Sequence, residues 1–364
     1  MVKKTHDGHA GRAPGQRAGT GMVRARLGDT VVEIQSSVDL VLETMAEFYP
    51  LTSVAGAAQQ PSWTVVAEAL PGHNAAVRTS FGVGVDVDRA ARTVRVRSQS
   101  PLSLAVTTRK LVREVFLQAC EAAGYTMIHA SAVYNDEQMI VFAADKRGGK
   151  TTLALRCVLD HGWQWLSNDH LILLPDSDRG LIATSLPTPI PVKAGTLVDL
   201  WERLPQAWDL NGFDIDLWRR RPARERYGAD EAAYFTYTGF GQLNPVFVPL
   251  QNLHVSIVFP AYLADATSLS ATDSTADKVT TAPGVSAVSV VDTARELAGH
   301  LRLDWFDEGR LSERFITEDH RDAETFARDG ACLSGLVAAT APGLRYAHSG
   351  DPTTLLNELT AVAS

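Results

Sequence analysis

The sequence is poor in cysteine, in positive charge and in long apolar runs. Its three cysteines, Cys120, Cys157 and Cys332, stand far apart with no Cys-x-x-Cys pair. That excludes a disulfide scaffold and a zinc ribbon, and reads as small buried hydrophobes in a reducing, cytoplasmic setting. Lys and Arg number 34 against 42 Asp and Glu, a formal net charge of −8. No long-range positive field would steer such a chain to a polyanion, so a nucleic acid is not an expected partner and any phosphate chemistry must be local. No stretch approaches the roughly 18–20 uninterrupted apolar residues of a membrane helix, so no membrane partner is expected either. Residues 1–22 are basic and rich in Gly and Ala but lack the apolar core of a signal peptide, which reads as a disordered tail. Also missing are His-Glu-x-x-His and Gly-x-Ser-x-Gly, while Gly19-x-Gly21 and Gly82-x-Gly84 lack the third glycine of a dinucleotide site.

What is present is an ordinary globular composition, 45% hydrophobic and 21% charged over 364 residues, long enough for two cores. We expect an α/β protein with a small α+β domain over 23–104 and a larger domain over 105–364. In the first, VRARLGDTVVEIQS alternates like a hairpin turning at Gly28 and Asp29, and Asp39 to Pro50 has helical spacing with Asp39 placed as a cap. WTVVAEAL and TVRVRSQS read as further strands. Thr107 to Gly124 forms an amphipathic helix, with Arg109, Lys110, Arg113, Glu114 and Glu121 on its polar side. MIHASAVY and MIVFAA then form a second hairpin around Asn135 and Asp136.

The chemistry is concentrated after that hairpin. Ala144-Asp145-Lys146-Arg147-Gly148-Gly149-Lys150-Thr151 fits G-x-x-x-x-G-K-[ST] at every position but the first. A Gly-rich loop between strand and helix offers backbone N–H groups and a positive helix end to phosphates. Lys150 neutralises the outer phosphates, and the Thr151 hydroxyl, with Thr152 beside it, can reach Mg²⁺ or phosphate. Ala144 in place of Gly is tolerable where the backbone avoids positive φ. After the helix, WQWLSNDHLILL reads as a strand carrying Asn168 and Asp169. A carboxylate there is where a second metal contact is needed, making Asp169 the candidate alongside Thr151.

The run from Ile128 to Leu174 resembles the HPr serine kinase/phosphorylase family and its HPr kinase-like relatives, whose C-terminal domain shares the phosphoenolpyruvate carboxykinase type of P-loop nucleotide fold. The resemblance joins His129, the loop ending Gly149-Lys150-Thr151, and Gly162 followed by WQWLS and Asn168-Asp169. Weaker echoes occur in PTPIPVKAG around Lys193 and in LRYAHSGDPTTLLNELTAV. It implies ATP and Mg²⁺ as cofactors, catalytic roles for Lys150, Asp169 and His129, and transfer of a phosphoryl group to a Ser or Thr hydroxyl of a peptide or small protein, such as a ribosomally made peptide under modification. A small-molecule hydroxyl fits the loop equally. One departure matters: the family's first Asp, the expected general base, is Asn168 here, and an amide cannot take a proton. Asp169 doing both jobs, His129 or His170 as base, transfer without a strong base, and a catalytically reduced nucleotide-binding scaffold all stay open. So does homo-oligomerisation.

Beyond the loop, residues 201–249 follow no tidy pattern and cluster Arg219, Arg220, Arg221, Arg224 and Arg226. They read either as a solvated basic face or as an acceptor-binding lid, with Lys193 a further candidate at the same site. HVSIVFPAY reads as a buried strand, and residues 264–286 as a Ser/Thr/Ala-rich surface loop. Helices are expected around 293–303 and 321–339, with a last one capped at Asp351-Pro352.

Overall fold

A computed structural model describes residues 16–54, 59–72, 75–79, 82–178, 180–243, 245–263, 284–303, 315–316 and 321–363. It is a mixed α/β protein. The chain divides into two compact units, Met1–Ala119 with Glu313–Glu318, and Cys120–Ser312 with Asp319–Ser364. The division falls inside a helix rather than at 104/105, and a short distal segment returns to the first unit.

In the first unit, β1 (Gln16–Leu27) and β2 (Thr30–Val38) form the expected hairpin, with Gly28 at φ 61° in the turn. The strand starts at Gln16, so part of the stretch assigned to a disordered tail from composition is strand instead, with Gln16, Gly21 and Met22 pairing with β2 across an irregularity between Gln16 and Gly21; residues 1–15 lie outside the described residues. Helix α1 (Asp39–Phe48) buries Val41, Leu42, Met45 and Phe48. Asp39 is its first helical residue rather than its cap, which is Val38 without a side-chain bond. Strands β3 (Leu51–Ser53), β4 (Trp63–Glu68), β5 (Val77–Arg78), β6 (Gly84–Asp88) and β7 (Thr93–Arg97) complete a sheet in the order β3-β1-β2-β4-β7-β6-β5. Helix α2 (Pro101–Ala122) starts six residues earlier than its periodicity suggests. Its polar side is not a solvated face: Arg109 and Glu114 are buried, Glu114 Oε2 accepting the N–H groups of Phe315 (2.9 Å) and Ile316 (2.8 Å).

The second unit is built on a six-stranded sheet. Its members are β9 (Ala130–Tyr134), β10 (Gln138–Ala143), β11 (Gln164–Ser167), β17 (His254–Tyr262), β18 (Gly284–Val288) and β19 (Gly343–His348), in the order β11-β9-β10-β17-β19-β18. The central β10, β17 and β19 are parallel. Both faces of this sheet are covered, so β10 is apolar after its first residue, Gln138: Ile140 and Phe142 pack into one cluster, Met139, Val141 and Ala143 into the other. The first cluster takes in α3 (Lys150–His161), α4 (Ala194–Leu200) and α9 (Thr353–Ala363). The second takes in α7 (Val290–Gly299) and α8 (Ala323–Thr340). A smaller sheet of β8 (Thr126–Ile128), β12 (Leu171–Asp176), β13 (Gly180–Ser185) and β16 (Val248–Pro249) runs alongside. β14 (Ile190–Lys193) pairs with β15 (Ala232–Phe235). The stretch 201–249 is less irregular than expected, holding the short helices α5 (Ile215–Arg219) and α6 (Ala223–Gly228). Residues 264–283, read as a surface loop, lie outside the described residues. Cys120 and Cys157 are buried as expected, but Cys332 is exposed on the outward side of α8. Among the described residues no helix is long and apolar enough to cross a membrane.

Candidate functional site

The loop of residues 144–149 leaves the C-terminal end of β10, the edge of a parallel sheet where α/β folds place ligands. The ends of β17 and β19 form its walls. Gly148 is required by crowding, since a Cβ there would stand 2.6 Å from the Ala144 Cβ and 3.2 Å from the Pro260 carbonyl. Gly149 is required by conformation, with φ 91°, and by the ring of His348, which a Cβ would strike. His348 is fully buried. Its Nδ1 accepts the Gly350 N–H (2.9 Å), which leaves Nε2 to donate to the Gly148 carbonyl (3.0 Å). Burial pushes this imidazole below its ordinary value, in keeping with a neutral ring bracing the loop. Arg147, at φ 75°, is the other loop residue in the left-handed region; Ala144 is not, which is why alanine is accepted there.

Helix α3 begins at Lys150. The Lys150 side chain is buried and curls back over the loop, donating from Nζ to the carbonyls of Ala144 (2.5 Å) and Asp145 (3.3 Å). Burial lowers its pKa, an effect opposed by the charges of Asp169 and Asp145. Thr151 Oγ1 donates to Asn168 Oδ1 (3.0 Å), and Thr152 Oγ1 shares a hydrogen with Thr196 Oγ1 (2.6 Å). Of the loop side chains, Lys146 donates to the Asp230 carboxylate and Arg147 to the carbonyl of Gly228, the last residue of α6.

His129 and Asp169 meet through the chain's passage between two sheets. β8 pairs with β12 in the smaller sheet, while β9 pairs with β11 in the larger one. His129 is the bend between β8 and β9, and Asn168, Asp169 and His170 lie between β11 and β12. Both crossings occur at the same place, so neither His129 nor Asp169 lies within a strand as their apolar surroundings suggest. His129 Nε2 lies 2.8 Å from Asp169 Oδ1, and Arg302 Nη1 donates to Asp169 Oδ2 (2.9 Å). Burial would raise the Asp169 carboxyl, but the His129 hydrogen bond and the charges of His170, His129 and Arg302 outweigh it and hold the group well below the usual carboxylate range. Asn168 is fixed on three sides: its N–H donates to Tyr237 Oη (3.1 Å), its carbonyl accepts from Ser131 Oγ (2.5 Å), and its amide oxygen holds Thr151.

The structure therefore gathers the predicted Lys150, Thr151, Asp169 and His129 with Asn168 at one loop. Sequence reasoning missed Arg302, His348, Tyr237 and Asp230. Arg302 arrives because residues 300–302 pair with β8 and its neighbour: His129 N–H to the His300 carbonyl (2.7 Å), and Arg302 N–H to the Met127 carbonyl (2.9 Å). No local pattern announces that pairing. The arginine-rich segment is mostly occupied locally, Arg219 with Glu202 and Asp216, Arg221 with Glu225, and Arg226 with Asp199. The residues that reach the loop from that side are Gly228 and Asp230.

The Thr151 hydroxyl and Asn168 amide oxygen are hard donors of the kind a divalent cation accepts, while both oxygens of the neighbouring Asp169 are engaged by His129 and Arg302. Among the described residues no group of three His, Cys, Asp or Glu side chains is arranged to hold a metal, so a cation here would draw its remaining ligands from phosphate or water. Compared with protein-family models and with curated proteins, the chain matches none of them.

Proposed function

We propose that the chain is an ATP- and Mg²⁺-dependent phosphotransferase with an HPr kinase-like nucleotide domain, transferring the γ-phosphoryl group to a Ser or Thr hydroxyl of a peptide or small protein. The observation that carries this reading is the convergence of Lys150, Thr151 and the His129–Asp169 pair at the end of one parallel strand. Lys150 and the loop amides would hold the triphosphate. Mg²⁺, on Thr151 and Asp169, would supply charge neutralisation on the phosphates. With Nε2 directed at Asp169, a neutral His129 has Nδ1 as its acceptor, which favours His129 over Asn168 as the group that takes the hydroxyl proton. Asp169 would then stabilise the imidazolium that forms.

Transfer of labelled phosphate from ATP to Ser- and Thr-containing peptides, and to small-molecule alcohols, is the assay. His129→Ala should lower transfer by about 100-fold or more while ATP still binds, and Asp169→Asn should abolish the Mg²⁺-dependent signal. Undiminished transfer in both variants would overturn the assignment. A second reading, a nucleotide-binding protein without transfer chemistry, is favoured by one feature: Asn168 stands where a base is expected and its amide oxygen is spent on Thr151. ATP binding with no phosphate on any acceptor would select it.

A further inference from the structure

Next to the phosphate loop, three cations from two elements converge on one exposed carboxylate. Lys146 Nζ lies 3.0 Å from Asp230 Oδ2, Lys193 Nζ 2.8 Å from Asp230 Oδ1, and Arg147 Nη2 3.8 Å from Oδ1. Arg147, itself at φ 75°, also donates to the Gly228 carbonyl (2.7 Å). Lys146 and Arg147 belong to the loop and Lys193 ends β14, so the cluster straddles the loop and the neighbouring two-stranded sheet. Among the described residues Asp230 is the carboxylate paired with these three cations, which leaves the cluster an excess of positive charge in a chain whose formal net charge is −8.

The carboxylate stands between a lightly held helix on its N-terminal side and β15 on its other side, where the Glu231 carbonyl accepts the Ala194 N–H (2.9 Å) and Ala232 pairs with Lys193. Helix α6 buries no side chain; it is held by Tyr227, which stacks on Tyr262 (5.4 Å between centroids) and bonds Asp199, and by the Arg226–Asp199 pair (3.5 Å). Segments with few buried apolar contacts open locally at low cost. Exposed ion pairs of this kind contribute little to stability, so three of them on one residue are a weak structural device. They are, however, well suited to exchange one anion for another.

We propose that Lys146, Arg147 and Lys193 form a binding site for a phosphate group, which Asp230 occupies in the free protein and which an incoming phosphate takes over. The hydrogen bonds from Lys193 and Lys146 keep the Asp230 carboxyl ionised down to a pKa of about 2, so the competition holds across the physiological range. The site deepens the phosphotransferase reading and rests on it only for the molecule to which the phosphate belongs. That phosphate is either the outer end of the nucleotide or a group on the acceptor.

Calorimetric titration of inorganic phosphate and of tripolyphosphate at low ionic strength tests this, with the wild type, Asp230→Asn and Asp230→Asn/Lys193→Ala. Removing the internal competitor should tighten tripolyphosphate binding by about three- to ten-fold, and Lys193→Ala should cancel the gain. An affinity unchanged or weakened by Asp230→Asn, with the fold intact by circular dichroism, would overturn the site and leave a purely structural ion cluster. Repeating the phosphate titration with ADP saturating separates the sources. A gain that persists places the site beyond the nucleotide's β-phosphate, and a gain seen only with tripolyphosphate alone assigns it to the nucleotide chain; both outcomes support the site. The two readings fail separately. ATP affinity indifferent to Lys150→Ala removes the nucleotide reading and leaves the Asp230 result standing, whereas an inert Asp230→Asn removes only the cluster.

Discussion

Substituting Gly149 with Ala, with Gly162→Ala as its partner, separates two costs that coincide in the loop. Both glycines occupy the left-handed region, at φ 91° and φ 72°. An alanine there costs about 1 kcal/mol in backbone strain. At Gly162 nothing lies within 4 Å of the added Cβ, so strain is the whole effect. At Gly149 the Cβ would lie 2.6 Å from His348 Nε2. That ring is fully buried and tied at both nitrogens, so it cannot turn away without losing its bonds to Gly148 and Gly350. Two hydrogen bonds at about 1 kcal/mol each raise the expected loss at Gly149 to about 2–4 kcal/mol. Urea unfolding followed by tryptophan fluorescence reports it, since Trp163 and Trp165 are buried in the same unit. Gly149→Ala should fall below Gly162→Ala by about 1–3 kcal/mol. Equal losses would refute the claim that His348 braces the loop.

Other consequences follow from the same contacts. Burial depresses the His348 pKa below its unfolded value near 6.5, so its stabilising contribution is full above that pH and declines as the solution is acidified toward the folded-state value. His348→Gln should flatten the stability–pH profile as the pH falls below about 6.5, where one such group contributes a slope of at most about 1.4 kcal/mol per pH unit; a slope unaltered by the substitution would deny that burial of the ring is linked to folding. Arg302→Met should cost about 1–2 kcal/mol, a buried-pair penalty discounted for the partial exposure of Asp169, and Asp169→Asn in the same chain should recover much of it. Additive losses in that double-mutant cycle would deny the coupling. A thiol reagent should label the native chain once, at Cys332. Cys157, pushed up to about 12 by burial, and the still higher Cys120 should react only on unfolding. Fast labelling of all three would contradict the packing around α2 and α3.

Local periodicity carried much of the fold into view. The β1–β2 hairpin with its turn at Gly28, the strand His254–Tyr262, the strand–loop–helix around Lys150 and the stop at Gly162 all depend on neighbours in sequence, and each appears as expected. What sequence hid was set by distant chain. The polar side of α2 gives no sign of burial in the sequence, because nothing nearby tells that Phe315 and Ile316 will donate to Glu114. The first seven described residues looked like tail because Gly and Ala carry no strand signal, yet they belong to β1, and β2 supplies partners for Gln16, Gly21 and Met22. Of the candidate site, Lys150, Thr151 and Asp169 were legible through motif chemistry, and His129 through the family resemblance. Arg302, His348 and Asp230 were not, because each reaches the loop from a different strand or connection more than 75 residues away. The bend at His129 was misread as strand interior because apolar residues flank it on both sides, and only the exchange between two sheets shows why a half-buried polar ring stands there.

The assignment of the loop stands or falls on ATP binding in the presence of Mg²⁺, measured by calorimetry on the wild type and on Lys150→Ala. Loss of a buried charged donor to phosphate should weaken binding by about 10- to 100-fold, with no change in the folded signal. A Lys150→Ala chain that holds ATP as tightly as the wild type, or a wild type that binds none, would contradict the nucleotide site at Ala144–Thr151.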